Sequence, residues 1–323
     1  MTSGLIAAAN RSRAISIERR AVAAVVAAVV LWSASSLFVR AGDADALAFT
    51  TWRLWFALPP LAVIVAVRSR DPRVEIWPRG VSRARWVALL FGAGAFFGSG
   101  VVTAFAAFGL TRLLDVTLIG SLQPILIIAF AVAFLGEHVA KSNIVRAVVA
   151  IAATIAVALA ASSSGSWSLA GDVVAIISLV LNAGWFLYGR VLRTRYAVDP
   201  FAFMFGVLAA AAVLVTPLAW VHNGGFGMRG VAIAFAACTM VSGTTAHVLM
   251  VWAHRYVPTS VSSPLLLGEP PLVAVGAWLW FGESLGPVEA IGSAVVVASL
   301  WGVVRSADLE EFEDEAIDPA PPT

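Results

Sequence analysis

The sequence predicts an all-α integral membrane protein with ten transmembrane helices in two inverted five-helix repeats. Three observations carry that prediction. Of 323 residues, 60% are hydrophobic and only 12% charged, with a mean hydropathy of +0.90, which is too apolar for a soluble domain. Apolar stretches of about 20 residues, the length of one bilayer crossing, recur along the whole chain. A proline-containing motif near the end of the first half returns at a fixed distance in the second.

Spans are expected at residues 21–40, 46–67, 86–108, 114–135, 143–162, 171–190, 201–221, 230–252, 260–281 and 287–304. The first follows Arg11, Arg13, Arg19 and Arg20, as a signal peptide would. Its apolar run exceeds the 7–15 residues of a signal-peptide core and further spans follow, so it reads as an uncleaved helix. The connections carry turn chemistry: Gly42-Asp43, Ser162-Ser163-Ser164-Gly165, Asn223-Gly224-Gly225 and Gly286-Pro287. Residues 1–20 read as a cytoplasmic segment, 21–162 and 171–306 as the two repeats, and 307–323 as an acidic, disordered cytoplasmic tail.

Charge sets the orientation. With the N-terminus inside, 17 of the 21 basic residues fall on cytoplasmic segments, Arg40, Arg112 and Arg229 fall outside, and Arg53 lies within the second span. That bias predicts both termini in the cytoplasm and a location in the cytoplasmic (inner) membrane. The repeat supports it. Gln123-Pro124 precedes Gly136-Glu137, and Glu269-Pro270 precedes Gly282-Glu283, each pair displaced by 146 residues. Upstream, Val30-Leu31-Trp32 through Arg40 matches Val180-Leu181-Asn182 through Arg190 at an offset of 150. Five is odd, so the second copy must cross the membrane upside down, an architecture common in secondary transporters.

These residues resemble the drug/metabolite transporter superfamily, specifically its ten-helix EamA-type exporters. The resemblance rests on the early Leu31-Trp32-Ser33, on Arg53 in the second span, and on proline followed after twelve residues by Gly-Glu in the fourth and ninth spans. It implies a basket-like bundle with a central cavity and export of small metabolites or amino acids. It implies no particular substrate. The chain departs from the usual pattern in the polar run Cys238–His247 of the eighth span.

Glu269 stands near mid-span, where a carboxyl group costs several kcal/mol unless it faces a partner or a watery cavity. Two readings stay open: a proton carrier, or a charge permanently paired with Arg53, whose depth is compatible. Gln123 is the neutral counterpart, either a cargo contact or helix-to-helix glue. Arg53 either meets cargo or snorkels outward. Trp32 is deep enough to line a pocket, and Asn182, its repeat counterpart, would be the polar half of the same wall. Pro124, Pro264, Pro270 and Pro271 each remove a backbone donor, which predicts kinks in the fourth and ninth spans. Gly92, Gly94, Gly98 and Gly100 read as helix packing, and Glu137 and Glu283 as interfacial groups beside the next helix.

Other classes are excluded on chemistry. Cys238 is the sole cysteine, so no intramolecular disulfide, CxxC pair or thiolate metal site is expected, and no cofactor is expected. There is no GxxxxGK[ST] loop, hence no ATP motor. The arginines of residues 68–85 serve topology and attract anionic lipid, not nucleic acid. Gly282-Glu283-Ser284-Leu285-Gly286 matches a nucleophile-elbow pattern with His247 as a conceivable base, but an elbow needs a strand-to-helix turn. The sequence therefore predicts a secondary exporter working on a small-molecule substrate in the lipid bilayer, with protons as the candidate coupling ion. A passive facilitator is the alternative within transport; an intramembrane serine hydrolase or a non-transporting scaffold are the alternatives outside it. Oligomeric state is not encoded in these patterns.

Overall fold

The computed structural model describes residues 2–42, 45–111, 116, 119–135, 141–160, 168–223, 227–228, 230–282 and 286–317. Every element among them is helical: α1 (Thr2–Gly42), α2 (Ala46–Arg68), α3 (Arg83–Leu110), α4 (Gln123–Phe130), α5 (Lys141–Ala160), α6 (Leu169–Arg195), α7 (Pro200–Asn223), α8 (Gly230–Ala253), α9 (Thr259–Leu265), α10 (Glu269–Phe281) and α11 (Pro287–Ile317). Seven helical stretches are long and apolar enough to cross a membrane, and two apolar helices, Gln123–Phe134 and Ala290–Val304, are shorter.

Local chemistry explains several boundaries. Asp45 caps α2 by accepting from the Ala48 N–H at 2.9 Å, and Ser168 caps α6 through the Gly171 N–H, each satisfying a donor that lacks an intrahelical acceptor. Gly282 ends α10 in the left-handed region, φ +69°, which explains the glycine of the second Gly-Glu pair. The first pair, along with Glu283, Ser284 and Glu137, lies outside the described residues.

Helix α1 begins at Thr2 and α11 continues to Ile317. The Ala, Leu and Glu that fill these stretches are strong helix formers, and Pro319 comes only after α11 has ended.

Pro124 and Pro270 sit in the first turns of α4 and α10. At that position the missing N–H has no intrahelical acceptor to lose. The ninth span is broken between α9, which contains Pro264, and α10 by a 3₁₀ turn, Leu266–Gly268. The fourth breaks in a turn just before Gln123, and past Phe130 it loosens into a π-helical turn, Ala131–Leu135.

Packing reveals the relation between the halves. Helix α1 lies on α8 and α10, as α6 lies on α3 and α4; α3 lies on α7 as α8 lies on α2; and α2–α7 and α5–α11 pair across the middle. Exchanging α1 with α6, α2 with α7, α3 with α8, α4 with α9–α10 and α5 with α11 returns the same set of neighbours. Close approach between backbones helps make these contacts, because lipid removes the usual apolar driving force. A Cβ on Gly94 would stand 2.6 Å from Ala210 Cβ and 2.8 Å from Ala211 N, and one on Gly98 would stand 3.1 Å from Val215. Two apolar clusters result, and they share α6 and α8: Ala183, Phe186 and Ala246 belong to one, Trp185, Leu192 and Val248 to the other.

Candidate functional site

Near where those clusters meet stand five polar or aromatic side chains. Trp32 and Ser36 of α1, Arg53 of α2, His247 of α8 and Glu269 of α10 are each half-buried. Glu269 is the first residue of α10, directly after the 3₁₀ turn, and its Oε1 accepts from Ser36 Oγ at 2.8 Å.

Arg53 Nη2 lies 3.6 Å from the place where a Gly243 Cβ would stand, and Ser35 Oγ lies 3.1 Å from that same place. Arg53 forms no ion pair or hydrogen bond with Glu269 or with any other described residue. The pairing inferred from their depths is therefore not made. Depth fixes height and not direction: Ser36, which holds Glu269, and Ser35, which stands near Arg53, are neighbouring residues pointing about 100° apart on α1.

His247 is the centre of an aromatic group that sequence reading had treated only as a conceivable base. Its ring meets Trp32 edge-on at 5.0 Å and Phe97 at 4.8 Å, with Trp185 behind at 6.4 Å. Phe97 and Trp185 are buried, so they fix the imidazole while Trp32 and His247 remain accessible. A signal did exist in the sequence: Thr239, Gly243 and His247 recur every four residues and share one face of α8.

Asn182 is placed elsewhere. Its Nδ2 donates to Ser178 O at 2.9 Å and Ser178 Oγ at 3.1 Å, and reaches Gly100 O at 3.4 Å. It joins α6 to α3 and lies in a different wall from Trp32. Gln123 begins α4 and is half-buried; no contact brings it to Glu269 or Arg53. Of the tryptophans on α10, Trp278 is half-exposed, as in an interfacial belt, while Trp280 meets Phe38 of α1 at 5.6 Å and Phe235 of α8 at 6.1 Å.

At one end of the bundle the arginines work as caps. Arg190 Nη1 donates to His254 O at 2.7 Å and to Val257 O, and Arg193 donates to Val251 O at 3.1 Å and to Val198 O. These carbonyls follow the last turn of α8 or flank it. His254 lies just past that helix, 1% exposed, with its ring 4.5 Å from Phe186. Burial, then Arg190 and Arg193, push its pKa down to about 3. Nearby, Asp199 accepts from Arg68 Nη2 at 2.6 Å and from the Phe201 N–H at 3.0 Å, tying the end of α2 to the start of α7. Among the described residues, no group of His, Cys, Asp or Glu could hold a metal ion.

A multi-pass helical bundle with a polar interior is the structural class of small-molecule membrane transporters. The comparisons agree: residues 19–159 and again 169–305 match the EamA-like transporter family, and the chain belongs to that family. The two matches divide it where the repeat did. No curated protein sequence matches. Among 29 matching chains of solved structures, one described only as "Crystal structure of protein" aligns with a TM-score of 0.74 at 18% identity, covering 91% of this chain and 98% of its own. At that identity the likeness concerns the fold.

Proposed function

We propose that this protein is a secondary transporter that exports a small metabolite or amino acid across the cytoplasmic membrane. It does so by alternating access between two inverted halves of five spans each, with both termini inside. The observation that carries the reading is Glu269, a half-buried carboxyl group at a break in the ninth span, held by Ser36 and facing the interior instead of lipid. A carboxyl group so placed marks an ion or substrate path by default, and broken helices at a repeat interface are where transporter sites form. Glu269 is the proposed proton carrier for cargo antiport.

The test is counterflow and pH-driven accumulation in liposomes containing purified protein and a metabolite mixture. Wild type should exchange cargo and concentrate it when a pH difference is imposed. Glu269→Gln should keep exchange and lose accumulation. A wild type that exchanges cargo but ignores the pH difference would favour a passive facilitator, with Glu269 left as a cargo contact.

A further inference from the structure

We propose that the cargo is an aromatic monocarboxylate, with its carboxylate on Arg53 and its ring against Trp32 and His247. This rests on the transporter reading and adds a substrate class to it. Arg53 is a half-buried guanidinium inside a span with no anion and no hydrogen-bond acceptor among the described residues. A charge at such depth without a partner is unfavourable, and the shape that satisfies a guanidinium fork is a carboxylate taking two parallel N–H bonds.

Gly243 lies close against the guanidinium: a Cβ there would stand 3.6 Å from Arg53 Nη2 and 3.1 Å from Ser35 Oγ. One turn from Arg53 on α2 is Thr50, and one turn from Gly243 on α8 is Thr239. Both are buried, and both hydroxyls lack a hydrogen-bond partner among the described residues, so unmatched polar groups gather on the two helices that meet at Arg53. The accessible rings are Trp32 and His247, fixed by Phe97 and Trp185 behind them, and edge and face contacts to a flat apolar ring are what such a pair offers.

Charge narrows the class further. A dianionic phosphate calls for several cations, but the sole lysine of the chain is Lys141, at the start of α5, and Arg53 is the one cation among these groups. Glu269 accepts from Ser36 and forms no hydrogen bond or ion pair with Arg53.

Four probes of one skeleton test this on purified wild-type protein by titration calorimetry: 3-phenylpropanoate, 3-phenylpropanamide, 3-phenylpropylamine and phenylalanine. The carboxylate should bind, with the amide and amine weaker by about tenfold or more, since they cannot form the paired charge-assisted bonds. Phenylalanine should gain nothing over the carboxylate. Arg53→Gln should abolish carboxylate binding and His247→Ala should weaken it. Arg53→Lys, which keeps the charge but not the fork, should retain weak binding and serves if Arg53→Gln does not fold. Equal binding of the amide or amine overturns the proposal. So does phenylalanine binding about tenfold tighter than 3-phenylpropanoate with that advantage lost in Glu269→Gln, because Glu269 would then hold the ammonium. If none of the four binds while counterflow of a metabolite mixture persists, the substrate class is wrong and the transporter reading stands. Absence of counterflow with every cargo overturns the transporter reading itself.

Discussion

The surroundings of α1 and those of α6 are related by the repeat, yet they carry different chemistry. Where α8 sets His247 against Trp32 of α1, α3 sets Gly100 against Asn182 of α6. The span that breaks beside α1 resumes at Glu269, and the one beside α6 resumes at Gln123. Counted eight residues from the capping Asp45, α2 presents Arg53; counted eight from Asp199, α7 presents the fully buried Val207. One copy of the scaffold has thus kept ionisable and aromatic groups, and the other has filled the same positions with neutral, close-packed ones. A duplicated fold supplies two equivalent crossings, and only one needs to stay polar for a path to exist.

The largest effect should separate the two break residues. Glu269→Gln should reduce pH-driven accumulation by about tenfold or more, equivalent to at least about 1.4 kcal/mol, and Gln123→Leu should change it by less than about threefold. Equal losses, measured as uptake into liposomes, would mean that both halves take part and that the asymmetry is only chemical. Next comes packing on the neutral side. Gly94→Val places atoms against the α7 backbone and should cost about 2–3 kcal/mol, read as a lowered midpoint in thermal unfolding in detergent, and cargo exchange by the folded fraction should persist.

A smaller effect depends on pH. His254 has a folded-state pKa near 3 against about 6.5 when unfolded. Between those values the unfolded chain takes up a proton that the folded one refuses, so stability is complete above about pH 6.5 and falls as pH drops. The slope from this residue approaches about 1.4 kcal/mol per pH unit. His254→Phe should flatten the fall in unfolding midpoint between pH 6.5 and 4.5, and an unchanged profile would rule the residue out as its cause. The smallest effect belongs to Asn182→Ala, which should cost about 1 kcal/mol of stability and leave cargo affinity unaltered. An affinity change in that variant would return Asn182 to the binding wall.

Much of this was legible in the sequence. Hydropathy located the long helices because a span is simply a run of apolar residues, and the Gln-Pro and Glu-Pro pairs disclosed the duplication. The glycines of α3 were read correctly as packing, since a missing Cβ has one geometric use at such spacing. Direction around each helix was not legible. The sequence placed Arg53 and Glu269 at compatible depths, and the structure joins Glu269 to Ser36 instead. The role of His247 depended on Trp32, Phe97 and Trp185, which lie far away in sequence on α1, α3 and α6. At Pro124 and Pro270 the residue type signals a discontinuity, and whether the helix bends or begins there depends on the turn before it.

The caps formed by Arg190 and Arg193 bear on the electrical character of that face of the protein. Both count toward the positive bias from which the sequence reading expects its orientation, but their guanidinium groups are turned inward onto the carbonyls of residues 251, 254, 257 and 198. The potential that lipid headgroups and approaching solutes meet there is set by other, exposed arginines: Arg70, Arg73, Arg79, Arg83, Arg85, Arg195 and Arg255. Neutralising Arg193 would remove a structural clasp and leave the surface field nearly intact, whereas neutralising Arg79 would lower the field and leave the clasp alone.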